Sequence, residues 1–263
     1  MSDLSARAKR RDLPSAEAPP TDGDAQSRET NLLLRGLPRS SYERLRPHLE
    51  HVELKVRYVL WAPNEPIEWV HFPRSLVGSV LVLLESESPV EAATIGREGF
   101  FGTPILFGAE STSSRSIVQV EGDAVRMSAS AARDAFRTDA ALLGYCLRYA
   151  HALQEQVAQS VACNSRHALE ERCARWLLMT HDRVGRDEFM LLQSFLASML
   201  GVHRPRVTVA AGMLQQAGLI RYSRGRITIV DRQRLEAAAC ECYATVRATH
   251  ERLFAAAPKA HVG

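Results

Sequence analysis

The part of the chain that most constrains its fold is residues 192–227, where two helical patterns flank a glycine. The spacing of apolar side chains predicts one helix over residues 192–200 and a second over 203–217, and Gly201 between them permits a tight turn. Two short strand-like runs then follow on either side of Gly225. Two helices joined by such a turn form a helix-turn-helix, and the hairpin behind them is typical of a winged helix.

The second predicted helix has two different faces. Val207, Ala211 and Leu214 recur at intervals of four and three residues, which predicts a face buried in the core. The complementary face is small and polar, whereas a purely structural solvent face favours Glu and Lys. Its residues are Arg204, Thr208, Val209, Gly212 and Gln215. Arginines at a helix N-terminus oppose the helix dipole unless an anion such as a phosphate binds there. Pro205 is tolerated in the first turn because that amide has no partner within the helix.

Positive charge is concentrated in the same part of the chain. Residues 164–234 carry 12 basic and 6 acidic side chains, a net charge of +6, whereas the whole chain of 263 residues has a net charge of +3. A localised basic block indicates a polyanionic partner, of which nucleic acid is the commonest. The alternative interpretation is a solvated, arginine-rich surface.

The rest of the chain divides into segments of different character. Residues 1–30 have almost no large apolar side chains, which predicts a disordered tail. Residues 31–138 contain short β-type runs between turn residues, as in a compact antiparallel roll. Residues 139–163 form one long helical pattern, and residues 164–263 hold the helix-turn-helix, its hairpin and an amphipathic helix at 235–254. The predicted fold class is α+β: an N-terminal β-roll, a long dimerisation helix and a C-terminal winged helix-turn-helix.

The long helix carries an apolar seam at intervals of three or four residues. Its members are Leu142, Cys146, Tyr149, Leu153, Val157 and Val161. One interpretation is a core helix packed on its own roll. The other, which we favour, is a contact between two copies of the chain, because a helix of about 36 Å, at 1.5 Å per residue, outruns a small roll. We therefore expect a homodimer formed through residues 139–163.

These segments resemble the bacterial Crp/Fnr-type transcription regulators over about residues 31–235. The residues that carry the resemblance are the pattern Gln193-x7-Gly201-x2-Arg204-x2-Val207-x6-Leu214 and the stretch RWLLMTHDRVGRDEF, which is similar to a widespread bacterial subfamily. The resemblance implies a β-roll of cyclic-nucleotide-binding type, a dimerising helix and a winged helix. It also implies a regulator that binds double-stranded DNA and reads an inverted repeat.

The resemblance also implies roles for single residues. Arg204 would read a base, with guanine as the expected partner through O6 and N7, and Thr208 and Val209 would face base edges near Gly212. The residues expected near phosphates are Gln193, Ser194, His203 and Arg206, with Arg224 and Arg226 on the wing. Founding members often have an acidic residue in place of Pro205 and a long basic residue near Val209. We therefore expect a different DNA sequence to be recognised.

The resemblance raises the question of a ligand in the roll. In cyclic-nucleotide members, a Gly-Glu pair and an Arg-Ser or Arg-Thr pair hold the ribose and phosphate. Gly102 and Arg115-Ser116 match here, but Thr103 stands at the glutamate position and accepts hydrogen bonds less well. Apolar residues also stand on the long helix where adenine would meet polar groups. A sensor of cyclic nucleotides or dinucleotides that gates DNA binding is therefore the alternative function, and no cofactor is expected.

Cysteines and histidines offer little sign of a metal. The five cysteines contain no CxxC pair and none precedes Cys146, unlike the N-terminal cluster of iron–sulfur members. This favours reduced, packed thiols over a disulfide framework or a zinc site, and we expect no metal. His48, His51 and His71 in the roll region leave haem as a minor alternative.

The sequence predicts neither an enzyme nor a membrane protein. It has no GxxxxGK[ST], no GxGxxG after a strand, no HExxH and no GxSxG, so no catalytic residue is proposed. The N-terminus lacks the apolar segment of a secretory signal, and no apolar run is long enough for a spanning helix. We expect a cytoplasmic protein, with RNA polymerase as a second partner beside DNA.

Overall fold

The computed structural model describes residues 25–85 and 89–255 of the chain. Within them, short helices and a β-roll are followed by one long helix and by a helical domain with a three-stranded sheet. The predicted α+β architecture, with a roll, a long helix and a winged helix in this order, is confirmed. None of the helices in the described ranges is long and apolar enough to cross a membrane.

The roll consists of two antiparallel sheets with strand orders β1-β7-β3 and β2-β6-β4-β5. The strands are β1 (Glu50–Leu54), β2 (Val59–Trp61), β3 (Trp69–Pro73), β4 (Val77–Val82), β5 (Val90–Ile95), β6 (Arg115–Val120) and β7 (Gly122–Ser128). The accompanying helices are α1 (Leu32–Gly36), α2 (Arg39–Leu45), α3 (Thr103–Leu106) and α4 (Ala129–Thr138). Because the side-chain period of a strand is two, alternate residues of each strand point into the roll.

Aromatic rings fill the roll interior. The ring centroid of Phe100 lies 5.7 Å from that of Phe72 and 5.2 Å from that of Tyr149, and all three side chains are buried. Gly99 is required here, because a Cβ at this position would lie 1.9 Å from the ring of Tyr149. Since Tyr149 belongs to the long helix, the first half of that helix is part of the roll's own core.

The long helix α5 spans Ala140–Arg166. Its N-terminal cap is Asp139, whose carboxylate accepts hydrogen bonds from two backbone N–H groups of the first turn. The predicted seam divides in two. Leu142 and Cys146 are buried in the roll together with Tyr149, whereas Val161 is 65% exposed. The expectation that the whole seam faces a second copy is therefore wrong for its first half, because those side chains complete the chain's own core.

The winged-helix domain places three strands and three helices after α5. They are α6 (Leu169–Val184), β8 (Glu188–Met190), α7 (Gln193–Leu200), α8 (Arg204–Gln216), β9 (Ile220–Ser223) and β10 (Arg226–Ile229). The strand order is β8-β10-β9, with β10 paired to both neighbours. A helix α9 (Arg232–Ala238) then packs on α6. Strand β9 contacts α8, and the β9–β10 turn lies beside the N-terminal ends of α7 and α8.

The C-terminal helix predicted over residues 235–254 is two helices, α9 and α10 (Cys242–Ala255), with a break after Ala238. Helix α10 packs along α5 and also contacts α6 and α1. Tyr243 and Val246 join the winged-helix core, and Leu253 joins the core of the roll. The helix therefore connects both domains, which the sequence left undecided.

The two domains share a buried polar contact. Arg183 of α6 donates to a carboxylate oxygen of Glu98 at 2.8 Å and to the side-chain oxygen of Gln156 in α5 at 2.8 Å. The side chains of Arg183 and Glu98 are only 5% and 8% exposed. Trp176 of α6 donates to Glu91 of β5 at 2.9 Å. A buried charge pair of this kind fixes the orientation of the winged-helix domain on the roll.

The predicted disordered tail, residues 1–30, lies outside the described residues up to position 24. Its last residues differ from the prediction, because Glu29 is buried and forms an ion pair with Arg74 at 2.6 Å. Gln26 donates to the carbonyl of Leu37 at 2.8 Å. Specific contacts are therefore made by residues before Asn31, namely by Gln26 and Glu29, and the polar composition of this stretch did not indicate them.

Candidate nucleic-acid interface

The helix-turn-helix is built as the sequence predicts. Helix α7 ends at Gly201, which adopts a left-handed conformation with φ 62°, and α8 begins after His203. Val207, Ala211 and Leu214 are buried against the domain core, as expected for the inner face of α8. The glycine turn and the inner face together fix which side of α8 points outwards.

The outer face of α8 lies in solvent. Val209 is 62% exposed, and Met213, one turn further along, is 51% exposed. The sequence reasoning missed Met213, although its spacing of four residues from Val209 could have revealed it. Gly212 opens onto free space, with no atom within 4 Å of a Cβ built there. The structure thus leaves an uncovered surface along two turns of α8.

Gln193 joins the two helices at their N-terminal ends. Its side-chain oxygen accepts a hydrogen bond from the hydroxyl of Thr208 at 3.2 Å and one from Nε of Arg204 at 3.4 Å. Three residues predicted from the sequence as DNA contacts are therefore brought together by direct bonds. Among the described residues, the terminal nitrogens of Arg204 have no hydrogen-bond partner, so they can donate in the fork geometry that suits guanine or phosphate.

The wing is a tight hairpin between β9 and β10. Arg224 and Gly225 both have positive φ, 49° and 78°, as a two-residue hairpin turn requires. Arg226 pairs with Glu188 on the neighbouring strand β8, so part of its charge is neutralised. Arg224 sits at the tip without such a partner. The two wing arginines, predicted as equivalent phosphate contacts, differ in the structure.

Tyr222 anchors the wing to the rest of the domain. Its hydroxyl donates to the carbonyl of Leu191 at 2.7 Å, and its backbone N–H donates to the side-chain oxygen of Gln215 in α8 at 2.8 Å. Burial raises the pKa of Tyr222 to about 12, so the hydroxyl keeps the proton that it donates. The wing and α8 are thus held at a fixed separation.

A cleft of about 400 Å³ lies between α7, α8 and the wing. Its lining residues are Leu192, Gln193, Ser194, Arg204, Tyr222, Arg224 and Gly225. They include two arginines and no acidic residue. The geometry and charge of this cleft suit an anionic chain that passes between the helix-turn-helix and the wing.

The arginines of residues 164–234, which form the basic block, fall into two groups. Half of its arginines are tied to protein groups: Arg172, Arg175, Arg183, Arg226, Arg232 and Arg234. By contrast, among the described residues Arg204, Arg206, Arg221 and Arg224 form no ion pair and lie exposed in the helix-turn-helix and wing, and Arg204 has only the 3.4 Å hydrogen bond to Gln193. The sequence alone could not separate these two groups.

The remaining predicted contacts are also accessible. Ser194, His203, Pro205 and Arg206 are exposed at the N-terminal ends of α7 and α8. Burial, and to a smaller extent the charge of nearby Arg206, lowers the pKa of Arg172.

The residues predicted for a ligand lie in the roll. Gly102 has φ 137° and precedes α3, whose first residue is the half-buried Thr103. The hydroxyl of Ser116 donates to the carbonyl of Ser79 at 3.1 Å and is already used within the sheet. The Nε of Arg115 is buried without a hydrogen-bond partner among the described residues. Among the described residues, Arg115 therefore offers a buried, unused donor to an anion.

Histidine ligands for haem are not gathered in the roll. His71 is buried, and neither ring nitrogen has a partner among the described residues. His48 and His51 are exposed. Burial, with a contribution from Arg126, lowers the pKa of His71 to about 3, so the ring is neutral at physiological pH.

All five cysteines are buried and free, but three of them converge. Cys163, Cys240 and Cys242 meet His167, and their four ligand atoms lie within 4.8 Å of one another. The expectation of separate packed thiols missed this grouping. More than 70 residues separate Cys163 from Cys240 in the sequence, so no local spacing could reveal it.

Comparison with known proteins identifies the helix-turn-helix. Residues 171–238 match the Crp-like helix-turn-helix domain family. A comparison with curated proteins finds no match.

Solved structures share the overall fold. FixK2 from Bradyrhizobium japonicum has a TM-score of 0.63 at 16% identity, over 73% of this chain and 98% of that one. A CRP-family transcriptional regulator from Thermus thermophilus has a TM-score of 0.61 at 18% identity, over 72% and 96%. The c-di-GMP-responsive global regulator CLP from Xanthomonas campestris has a TM-score of 0.55 at 15% identity, over 73% and 99%.

Residues 171–238 therefore carry a helix-turn-helix of Crp-like type, which follows a β-roll and a long helix in the chain. This is the fold of the Crp/Fnr transcriptional regulators, and the resemblance stated from the sequence is confirmed.

Proposed function

We propose that the chain is a sequence-specific DNA-binding transcription regulator of Crp/Fnr type, a binding protein rather than an enzyme. The observation that carries the proposal is the exposed N-terminal half of α8 beside a basic cleft. A structural helix would cover this face or surround it with mixed charge. RNA polymerase is the second partner that we propose for such a regulator.

Each exposed residue has a role in this proposal. Arg204 reads a base, and Thr208 and Val209 place methyl groups against base edges, where thymine offers its own methyl. Gly212 lets the groove approach closely. The phosphate contacts are Gln193, Ser194, His203, Arg206, Arg224 and Arg226. Pro205 and Val209 differ from the founding members, which supports a distinct target sequence.

The partner that completes the DNA-binding unit is a second copy of the chain. Residues at intervals of three and four form an exposed stripe on α5, opposite the face that holds Tyr149. They are Leu147, His151, Gln154, Ala158 and Val161. Leu147 and Val161 are 44% and 65% exposed, so the stripe presents two large apolar side chains to solvent. A dimer that reads an inverted repeat needs its two recognition helices in successive major grooves, about 34 Å apart.

A ligand-gated function is the second candidate, and the unpartnered Nε of Arg115 favours it. One structurally similar protein, CLP, is described as c-di-GMP-responsive. Thermal-shift measurements with cyclic mononucleotides and dinucleotides test this candidate. A shift that Arg115→Ala abolishes supports a ligand site in the roll, and the lack of any shift supports constitutive DNA binding.

Selection of bound sequences from a random duplex pool tests the main proposal. We expect an inverted repeat whose half-site centres are one helical turn, about 10 base pairs, apart. Recovery of no enriched motif, or of a single unrepeated half-site, would contradict the proposal.

A further inference from the structure

Four metal-ligating side chains meet where the long helix joins the winged-helix domain. Cys163 lies in the last turn of α5, and His167 is its C-terminal cap residue. Cys240 lies between α9 and α10, and Cys242 is the first residue of α10. The Sγ atoms of Cys163 and Cys240 are 3.5 Å apart, and Sγ of Cys242 lies 3.5 Å from Nδ1 of His167.

These distances suit a tetrahedral metal ion. With Zn–S bonds of about 2.3 Å, two sulfurs on one zinc ion lie about 3.8 Å apart. All four ligand atoms here lie within 4.8 Å of one another, so small side-chain rotations bring them to that spacing. Three thiolates and one imidazole are a donor set typical of structural zinc sites.

The groups around the four ligands also fit a metal. Nε2 of His167 lies 3.2 Å from a carboxylate oxygen of Glu241, which leaves Nδ1 free to face the sulfurs. A carboxylate behind a histidine is the usual means of orienting a zinc ligand. Gln159 donates to Sγ of Cys242 at 3.0 Å, as second-layer amides do to bound thiolates.

The charged side chains around the four ligands suit a bound divalent cation. A divalent cation with three thiolates leaves a net charge of about −1. Arg172 and Arg175 of α6 both lie within electrostatic range of Cys163. Their positive charges offset the excess negative charge of the bound form.

We propose that Cys163, His167, Cys240 and Cys242 form a zinc site that fastens α10 to the junction of α5 and α6. The zinc ion links two ligands at the end of α5 with two ligands at the start of α10, which lie far apart in the sequence. Helix α10 itself contacts both domains. Zinc bound here stabilises the position of the winged-helix domain relative to α5. A disulfide between Cys163 and Cys240 is the competing arrangement, but it gives no role to Cys242, His167 or Glu241.

Metal analysis of the full-length chain, purified under reducing conditions and supplied with Zn²⁺, tests the proposal. We expect about one zinc ion per chain, consistent with the four ligands of one tetrahedral site. Cys240→Ser and His167→Ala are expected to lose it. Cys173→Ala is the matched control, because Cys173 is equally buried but lies outside the cluster. Replacement by Co²⁺ should give the visible absorption of tetrahedral thiolate coordination.

The variant His167→Cys tests the proposal even if the other variants fail to fold. It retains four ligands, so it should still bind Co²⁺ but with a changed spectrum, because a fourth thiolate replaces the imidazole. A wild-type chain without stoichiometric zinc overturns the proposal. So does stoichiometric iron or copper in its place, a Cys163–Cys240 disulfide in the reduced preparation, or an unchanged spectrum in His167→Cys.

Discussion

Arg224 and Arg226 stand two residues apart on the wing but face different surroundings. Arg226 pairs with Glu188, while Arg224 lies at the tip beside the basic cleft. We predict that Arg224→Ala weakens binding to all duplexes alike, because a phosphate contact carries no sequence information. The slope of log affinity against log salt should fall in magnitude by about 1.8, because the dimer loses one phosphate contact in each half-site and each contact contributes about 0.9. Fluorescence anisotropy on selected and scrambled duplexes measures both effects.

Two variants serve as controls for Arg224→Ala. Arg226→Ala should have the smaller effect on affinity, because its charge is already shared with Glu188. Arg137→Ala, on an exposed arginine of α4 that is 78% accessible, should have none. A loss confined to the selected sequence would show that Arg224 reads bases instead.

The lowered pKa of buried His71 leads us to predict that the stability of the fold depends on pH. Burial lowers its pKa in the folded chain to about 3, whereas an unfolded histidine titrates near its ordinary value of 6.5. Between these values the unfolded state binds more protons, so the stability that neutral His71 contributes is lost as pH falls from about 6.5 towards 3. We predict that His71→Leu reduces the drop in urea midpoint between about pH 7.5 and pH 4.5.

The comparison isolates His71 from His250, a half-buried histidine of α10. His250, whose pKa burial lowers to about 4, is present in both proteins and contributes equally to both. Equal drops in the wild type and in His71→Leu would contradict the assignment.

At the scale of elements, helices α8 and α5 both have a regular apolar pattern, but the sequence predicts more about α8 than about α5. Helix α8 has a strong inner pattern and a glycine turn, so its bounds and its buried face follow from local sequence. The pattern on α5 is equally regular, but periodicity shows only that a face is apolar and not what covers it. Here the roll's aromatic cluster covers Tyr149, and a different stripe of α5 stays exposed.

The exposed stripe of α5 carries the prediction about assembly. Leu147→Arg should convert the proposed dimer to a monomer, because two arginines would face each other across a twofold contact. Sedimentation velocity measures the change. Leu84→Arg is the matched control, since Leu84 is 49% exposed and lies just after strand β4 of the roll. Dissociation by both variants, or by neither, would contradict the assignment of this stripe.

The cysteine cluster shows what sequence spacing misses. Cys240 and Cys242 flank one residue, and Cys163 and His167 are four apart, so neither pair alone resembles a known metal motif. Only the packing of α10 along α5 brings the pairs together. Contacts of this kind depend on the relative placement of whole helices, which local patterns do not determine.

At the scale of the whole molecule, Arg183 and Glu98 hold the two domains together. Removing one partner of a buried ion pair leaves an uncompensated charge and costs about 3–5 kcal/mol. For Arg183→Met we predict a fall of at least about 6 °C in the midpoint of thermal unfolding. Arg137→Met removes an exposed pair and should cost less than about 2 °C. Equal effects measured by calorimetry would show that the buried pair is not a main domain contact.

The central claim is that α8 reads DNA bases in a symmetric dimer, and parallel selection of duplexes by the wild type and by Arg204→Ala tests it most directly. The wild type should select an inverted repeat. Arg204→Ala should select the same repeat with one base-pair position per half-site no longer specified, a loss of about 1–3 kcal/mol in discrimination at that position. An unchanged motif in the variant, or no motif in the wild type, would contradict the account.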